Sequence, residues 1–296
     1  MEGGLGVQGG AGQDRSREAL GVVAAGRIRA GIGGWTFEPW RGVFYPKGLS
    51  QKRELEYASR QLSAIEINGT YYSSFKPDSW AKWRESTPPG FKFAVKASRF
   101  CVNRKVLTDA APSMQIFLGQ GLTELGDRLG PILWQFMATK KFDYEDFAGF
   151  FDLLPKTLDG LALRHVIEVR NGTFADPRFI GLCRDHNLAI CNSENENYPF
   201  IPDVTSDFAY LRLISASDDI PTGYDAKDLD LWAGRLKAYA EGEVPADFTP
   251  IDRTGPPPAP RDVYAFVIHE GKVRAPAAAM ELIRRVDPAF TAQPLP

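Results

Sequence analysis

Several polar side chains stand at the ends of short apolar runs, on the opposite parity from their hydrophobic neighbours. Glu66 and Asn68 alternate with Ile65 and Ile67. Lys92 and Lys96 oppose Phe93 and Val95, and Glu168 and Arg170 oppose Ile167 and Val169. Tyr210 and Arg212 oppose Leu211 and Leu213, and Gln135 ends its run between Trp134 and Phe136. Two carboxylates so placed, Glu66 and Glu168, have the chemistry of a general acid and base, or of a base and an orienting group. The competing reading is structural: each acid is neutralised by Lys96 or Arg170, because a buried charge requires a partner. Lys96, Arg170 and Arg212 outnumber these two acids by one, so an anionic ligand is electrostatically welcome, and arginine grips phosphate or carboxylate with two donors. Asn68 and Gln135 would hydrogen-bond a substrate. Trp35, Tyr71 and Tyr72 follow the first two runs and could stack on a sugar or base, or form an apolar roof.

The histidines weigh against a metal. Metal-dependent barrels draw His, Asp and Glu ligands from several strand ends. Here His165 begins its run on the wrong face, His186 falls at a helix end, and only His269 comes near the productive end. Gly31, Gly33 and Gly34 lack the third glycine and helix start of a dinucleotide fingerprint; they let the backbone pass close to the lumen or to a ligand. The expectation is a site with neither metal nor cofactor.

These side chains need a scaffold that brings strand ends together. Eight runs read as strands: Ile28–Ile32, Ala64–Asn68, Phe91–Lys96, Ile132–Phe136, His165–Arg170, Leu188–Asn192, Phe208–Leu213 and Val263–Ile268. Helical patterns lie between most of them, over Gln51–Leu62, Ser79–Ser86, Ser113–Arg128, Glu145–Leu154, Pro177–Asn187 and Ala226–Ala240, with Ala277–Val286 closing the chain. Asp143 and Asp176 stand where N-caps belong. The stretch SENENYPFIPDVTSD, after Asn192, is too polar and proline-broken for a helix, and Pro250–Pro260 reads as a surface excursion. Strand–helix alternation argues for a parallel sheet, and eight strands in one chain predict an α/β fold: a TIM-type eight-stranded parallel (β/α) barrel, with the polar parity at its C-terminal mouth. Residues 1–26 read as a flexible Gly-rich tail and 27–296 as one barrel domain.

With 296 residues, 44% hydrophobic and 24% charged, the chain can build a large core, which excludes a disordered chain or a coiled coil. The net charge of −2 gives no whole-molecule field for nucleic acid, so such binding would need a local patch. Arg99, Arg104 and Lys105 make one, in the loop after the third strand, that reads more simply as solvated. Cys101, Cys183 and Cys191 have no ligand spacing and read as reduced, buried thiols. Arg15 and Arg17 before the short run Ala19–Ala25 only faintly resemble a signal peptide. No membrane association is expected, and the location expected is cytoplasmic.

Six segments in order, GIGGWTFEPWRGVFYP (Gly31–Pro46), EINGTYY (Glu66–Tyr72), FKFAVKASRF (Phe91–Phe100), LGPILWQF (Leu129–Phe136), IEVRNGTF (Ile167–Phe174) and AYLRL (Ala209–Leu213), make the chain resemble domain-of-unknown-function family 72, the YecE-like proteins. The resemblance runs from about Arg27 to the final helix and implies a TIM-type barrel; it implies no established reaction. Three places depart from the family's usual pattern. Ile214-Ser215 stands for His-Gly, Cys191-Asn192 (or Ser193, under a shifted alignment) for Ala-Asp, and Phe266-Val267-Ile268, followed by His269 and Glu270, for Phe-Asn-Asn. The functional expectation is a barrel that binds, and could transform, a small anionic or sugar-like molecule without a metal. The alternatives are a nucleic-acid-binding barrel using the basic third loop and the aromatics, and a binding-only pseudoenzyme that has lost its chemistry at strands six to eight.

Overall fold

The computed structural model describes residues 25–268 and 271–295. The expected tail falls almost wholly outside them, as do His269 and Glu270. Eight parallel strands close a barrel: β1 (Ile28–Gly33), β2 (Ala64–Ile67), β3 (Lys92–Lys96), β4 (Leu129–Gln135), β5 (His165–Glu168), β6 (Ala189–Ser193), β7 (Phe208–Leu213) and β8 (Asp262–Val267). Each pairs with its neighbours in sequence and β8 returns to β1, with Ile28 opposite Val263. The chain thus forms the eight-stranded α/β barrel that its alternation predicts.

The strand parities separate two cores. Outward side chains such as Ile65, Phe93, Val95, Trp134, Ile167 and Leu211 merge with the apolar helix faces. Inward side chains, among them Ala64, Ala94, Leu133, Val166, Cys191, Phe208, Tyr210, Tyr264 and Phe266, fill the lumen. The barrel is therefore solid below its mouth, as side-chain layers in such barrels are. Around it stand α1 (Glu54–Gln61), α2 (Pro77–Glu85), α3 (Arg99–Val102), α4 (Ala111–Leu118), α5 (Tyr144–Asp152), α6 (Pro177–Asp185), α7 (Ala226–Glu241) and α8 (Ala275–Val286). Asp143 and Asp176 cap α5 and α6, accepting from the backbone N–H of Asp146 (3.0 Å) and Arg178 (2.8 Å). No helix among the described residues is long and apolar enough to cross a membrane, and all three cysteines are free and buried.

Three local features depart from the sequence reading or refine it. The helix expected over Ser113–Arg128 breaks after Leu118 and continues as a 3₁₀ stretch over Leu122–Arg128. Gly121 and Gly126, both at positive φ, end the α-helical path. The connection between β6 and β7 carries no helix, in keeping with its composition. Gly31 is required by a strand rather than by a ligand: a Cβ there would lie 1.8 Å from the Ala64 carbonyl oxygen of β2.

Candidate functional site at the barrel mouth

The alternation of β2, β5 and β7 aims Glu66, Glu168 and Arg212 into the top of the lumen, where all three are buried. Arg212 bridges the two acids. Its Nη2 donates to Glu66 Oε1 at 2.9 Å and its Nη1 to Glu168 Oε2 at 2.8 Å. Glu66 also accepts from Tyr210 Oη at 2.5 Å and from Asn68 Nδ2 at 3.0 Å. Glu168 accepts from Gln135 Nε2 at 2.7 Å, from Arg170 Nη2 at 2.9 Å and Nε at 3.1 Å, and more distantly from Ser193 Oγ at 3.4 Å. The result is a ladder, Glu66–Arg212–Glu168–Arg170, with every carboxylate oxygen engaged.

This geometry holds Glu168 in its charged form. Burial alone would raise the Glu168 pKa, but Arg212 and Arg170 beside it, with the Gln135 hydrogen bond, bring it down to about 2. Glu168 is an anion at any ordinary pH. Its ionised form stabilises the fold above the unfolded carboxylate range, near 4.5, and that contribution is lost as pH falls toward about 2. A shift of that size corresponds to about 3 kcal/mol. The gap in urea stability between wild type and Glu168→Gln should therefore narrow between about pH 5 and pH 2. A gap constant across that window would show that charge on Glu168 does not support the fold.

Lys96 behaves differently from the other cations. Among the described residues its ammonium makes no ion pair or hydrogen bond; it lies 4.4 Å from the centre of the Tyr71 ring. It is half-buried at the end of β3. Burial, followed by repulsion from Arg212, lowers its pKa to about 8 against the opposing pull of Glu66 and Glu168. The sequence reading that Lys96 neutralises a glutamate is thus corrected: Arg212, reaching across the lumen, occupies both acids. Arg170 is half-open, its guanidinium 4.7 Å from the Tyr198 ring. Its Nε and Nη2 face Glu168 while Nη1 holds no partner among the described residues.

Of the residues read from sequence, Glu66, Asn68, Tyr71, Lys96, Gln135, Glu168, Arg170 and Arg212 meet at or beside this mouth. Trp35 does not. Gly34, at positive φ, turns the chain outward, and the Trp35 ring packs against Trp83 of α2 (5.1 Å) and Phe93 (6.1 Å) in the helical layer. Tyr72 is exposed and touches Tyr71 edge-on. Sequence reasoning put Tyr210 on the lumen parity but gave it no role, named Ser193 only as a departure from the family's pattern, and missed Tyr198. It also missed Glu194, which accepts from Ile214 N, Ser215 N, Tyr224 Oη and Trp232 Nε1 and so fixes the chain leaving β7. Tyr198 and Glu194 belong to the irregular β6–β7 connection, whose polar composition carries no periodic signal.

The mouth has two unlike halves. Apart from Arg212, which reaches across from β7, its charges lie on the β2–β5 side, whereas Cys191, Ile214, Phe266 and Ile268 contribute apolar groups from β6 to β8. Ile268 sits where a Cβ on Gly33 would meet its side chain at 2.9 Å. Of these apolar groups, Ile214 and Ile268 stand where the family resemblance implies polar residues. Cys191 is an unreactive thiol, since burial pushes its pKa well up. At the opposite end of the barrel, Asp262 pairs with Arg164 at 2.8 Å and Arg29 at 3.5 Å, beside Tyr264. A cleft of about 200 Å³ there, lined by Arg27, Arg60 and Phe290, contains none of the mouth's charged groups.

Among the described residues no three His, Cys, Asp or Glu side chains gather as metal ligands. His165 lies outside the barrel, its Nδ1 accepting from Trp134 Nε1 at 3.1 Å and its Nε2 2.8 Å from the Pro155 carbonyl oxygen. Burial lowers its pKa to about 4. His269, the histidine that sequence placed nearest the mouth, lies outside the described residues. In the third loop Arg104 is held by the Phe100 carbonyl (2.8 Å) and Ser113 Oγ (2.8 Å), while Arg99 covers Phe100.

Comparison with known proteins agrees with this architecture. Residues 29–296 match the model of a family described as protein of unknown function DUF72. A DUF72 family protein of Thermotoga maritima superposes with a TM-score of 0.63 at 19% identity, over 86% of this chain and 96% of its own. One from Enterococcus faecalis gives 0.64 at 15% identity, over 90% and 98%. No curated protein matches.

Proposed function

We propose, from the premise that this chain belongs to the DUF72 family, that its barrel mouth binds a small anionic molecule, such as a phosphate or carboxylate compound. The observation that carries this reading is Lys96: a half-buried ammonium over Tyr71 with no counter-ion among the described residues. Removing a charge from water without a partner is costly, and a ligand anion would supply the partner. Arg170 offers the second contact through Nη1, with its plane already fixed by Glu168 and Tyr198. The Glu66–Arg212–Glu168 ladder is the floor on which the anion sits, and the apolar side from Ile214 to Ile268 would receive the ligand's uncharged end.

Calorimetric titration with inorganic phosphate tests the reading. Two charge-assisted hydrogen bonds, each contributing about 1.5–3 kcal/mol, place the dissociation constant in the millimolar range or tighter. Affinity should change less than about tenfold between 50 and 200 mM salt, because few counterions are displaced. No heat of binding at 20 mM phosphate would exclude it. A second reading, single-stranded nucleic acid over the mouth, draws on the exposed Tyr72 and Phe100 beside Arg99. It requires oligonucleotide binding that collapses over that same salt range by about 10³-fold or more.

A further inference from the structure

One amine at the mouth stands apart from the other polar groups of the molecule. Ion pairs occupy the lumen arginines, the three cysteines are buried and inert, and the basal Arg29 and Arg164 pair with Asp262 and Asp207. Among the described residues Lys96 alone combines a nucleophilic atom, access to solvent and an open position at the mouth.

We propose that Lys96 is a covalent catalytic residue that forms a Schiff base with small carbonyl-bearing anions, of the 2-oxo acid class. The inference rests on the anion-binding reading and adds a reaction to it. Three features of the site support it. First, the ammonium is held by the Tyr71 ring at 4.4 Å rather than by a carboxylate, so no ion pair must break before the nitrogen reacts. A protonated imine, also a cation, would keep the same ring contact. Second, the groups facing Lys96 are Arg212 of β7, Arg170 after β5, and the acids Glu66 and Glu168. Both acids are tied to arginines, so the cations oppose the ammonium while the acids are already engaged. A lysine beside other cations and partly withdrawn from water is the arrangement that yields neutral amine near physiological pH, and the lowered pKa of about 8 agrees with it. Third, Arg170 Nη1 is open to hold a carboxylate, and Ile214 and Ile268 line the opposite side for an apolar substituent.

The step balances without an oxidant or reductant. The neutral Lys96 amine attacks the carbonyl carbon, forming the C–N bond as the carbonyl π pair moves to oxygen and is protonated. The carbinolamine then expels its hydroxyl as water. The sum is ammonium plus ketone giving protonated imine plus one water, with two ammonium protons leaving on that water.

Borohydride trapping with pyruvate tests the proposal. Reduction should fix about one adduct per chain, of pyruvate's mass less one oxygen, on the peptide carrying Lys96. Acetone, which lacks the carboxylate, should label that peptide at least tenfold less. Lys96→Arg keeps the positive charge and cannot form an imine, so it should lose the adduct. Adducts spread over surface lysines, or labelling unchanged in Lys96→Arg, would overturn the proposal. Phosphate binding by wild type without any Lys96 adduct would overturn the Schiff base while leaving anion binding intact. A Lys96 adduct in a protein that binds no phosphate would support the amine's reactivity and contradict the anion reading instead.

Discussion

Replacing Arg212 with leucine should lower the melting temperature by about 6–20 °C, the largest stability effect expected of any single change at the mouth. The side chain is buried and joins two carboxylates that are themselves withdrawn from water. Removing one partner of such a pair costs about 3–5 kcal/mol, because the charges left behind stay buried and unpaired, and each kcal/mol moves the transition of a domain of this size by about 2–4 °C. Here Glu66 would lose its only ion partner among the described residues, while Glu168 would keep Arg170 alone. Neutralising them should recover most of the loss. Glu66→Gln, Glu168→Gln and Arg212→Leu together should melt within about 5 °C of wild type, since replacing a buried ion pair by neutral groups is often close to neutral. An Arg212→Leu protein that melts like wild type, or a triple variant no better than the single one, would show that the ladder is not what holds the lumen together.

The second large effect concerns binding. Lys96→Met should weaken phosphate affinity by about 10- to 150-fold, the equivalent of one charge-assisted hydrogen bond of roughly 1.5–3 kcal/mol. Arg170→Met should also weaken binding, because it removes the Nη1 contact and one of the two cations balancing Glu168, which Arg212 and Gln135 still hold in place. Both variants should melt within a few degrees of wild type, since Lys96 has no ion partner to lose among the described residues and Arg170 is half-open. Equal affinities in wild type and Lys96→Met, measured by the same titration, would remove Lys96 from the site.

Much of this arrangement was legible in the sequence, for a definite reason. A strand side chain can face only two ways, so alternation fixed Glu66, Lys96, Glu168 and Arg212 on the lumen side once Ile65, Val95, Ile167 and Leu211 were read as outward. The partners were not legible. Parity places Glu66 and Arg212 on one face but says nothing of distances across a barrel, and so Lys96 and Arg170 looked as suitable for the glutamates as Arg212. Trp35 was misplaced because its direction depends on the backbone at Gly34, and a glycine permits either turn. The helix over Ser113–Arg128 failed for a related reason, since Gly121 and Gly126 admit conformations that end it. Tyr198 and Glu194 lie in an irregular connection, where only the folded loop brings them to Arg170 and to the turn after β7.

In the proposed arrangement the mouth holds an anion between Lys96 and Arg170 while Arg212 stays committed to the two glutamates. Crystals soaked in selenate and measured at the selenium absorption edge address it directly, because the anomalous signal locates the anion without prior assumption. The predicted result is a selenium peak within contact distance of Lys96 Nζ and Arg170 Nη1, with both Arg212–glutamate bonds intact, and no such peak in Lys96→Met. A selenate bound to Arg212 with a glutamate displaced, or a mouth left empty while selenate occupies the basal end near Arg29 and Arg164, would contradict it.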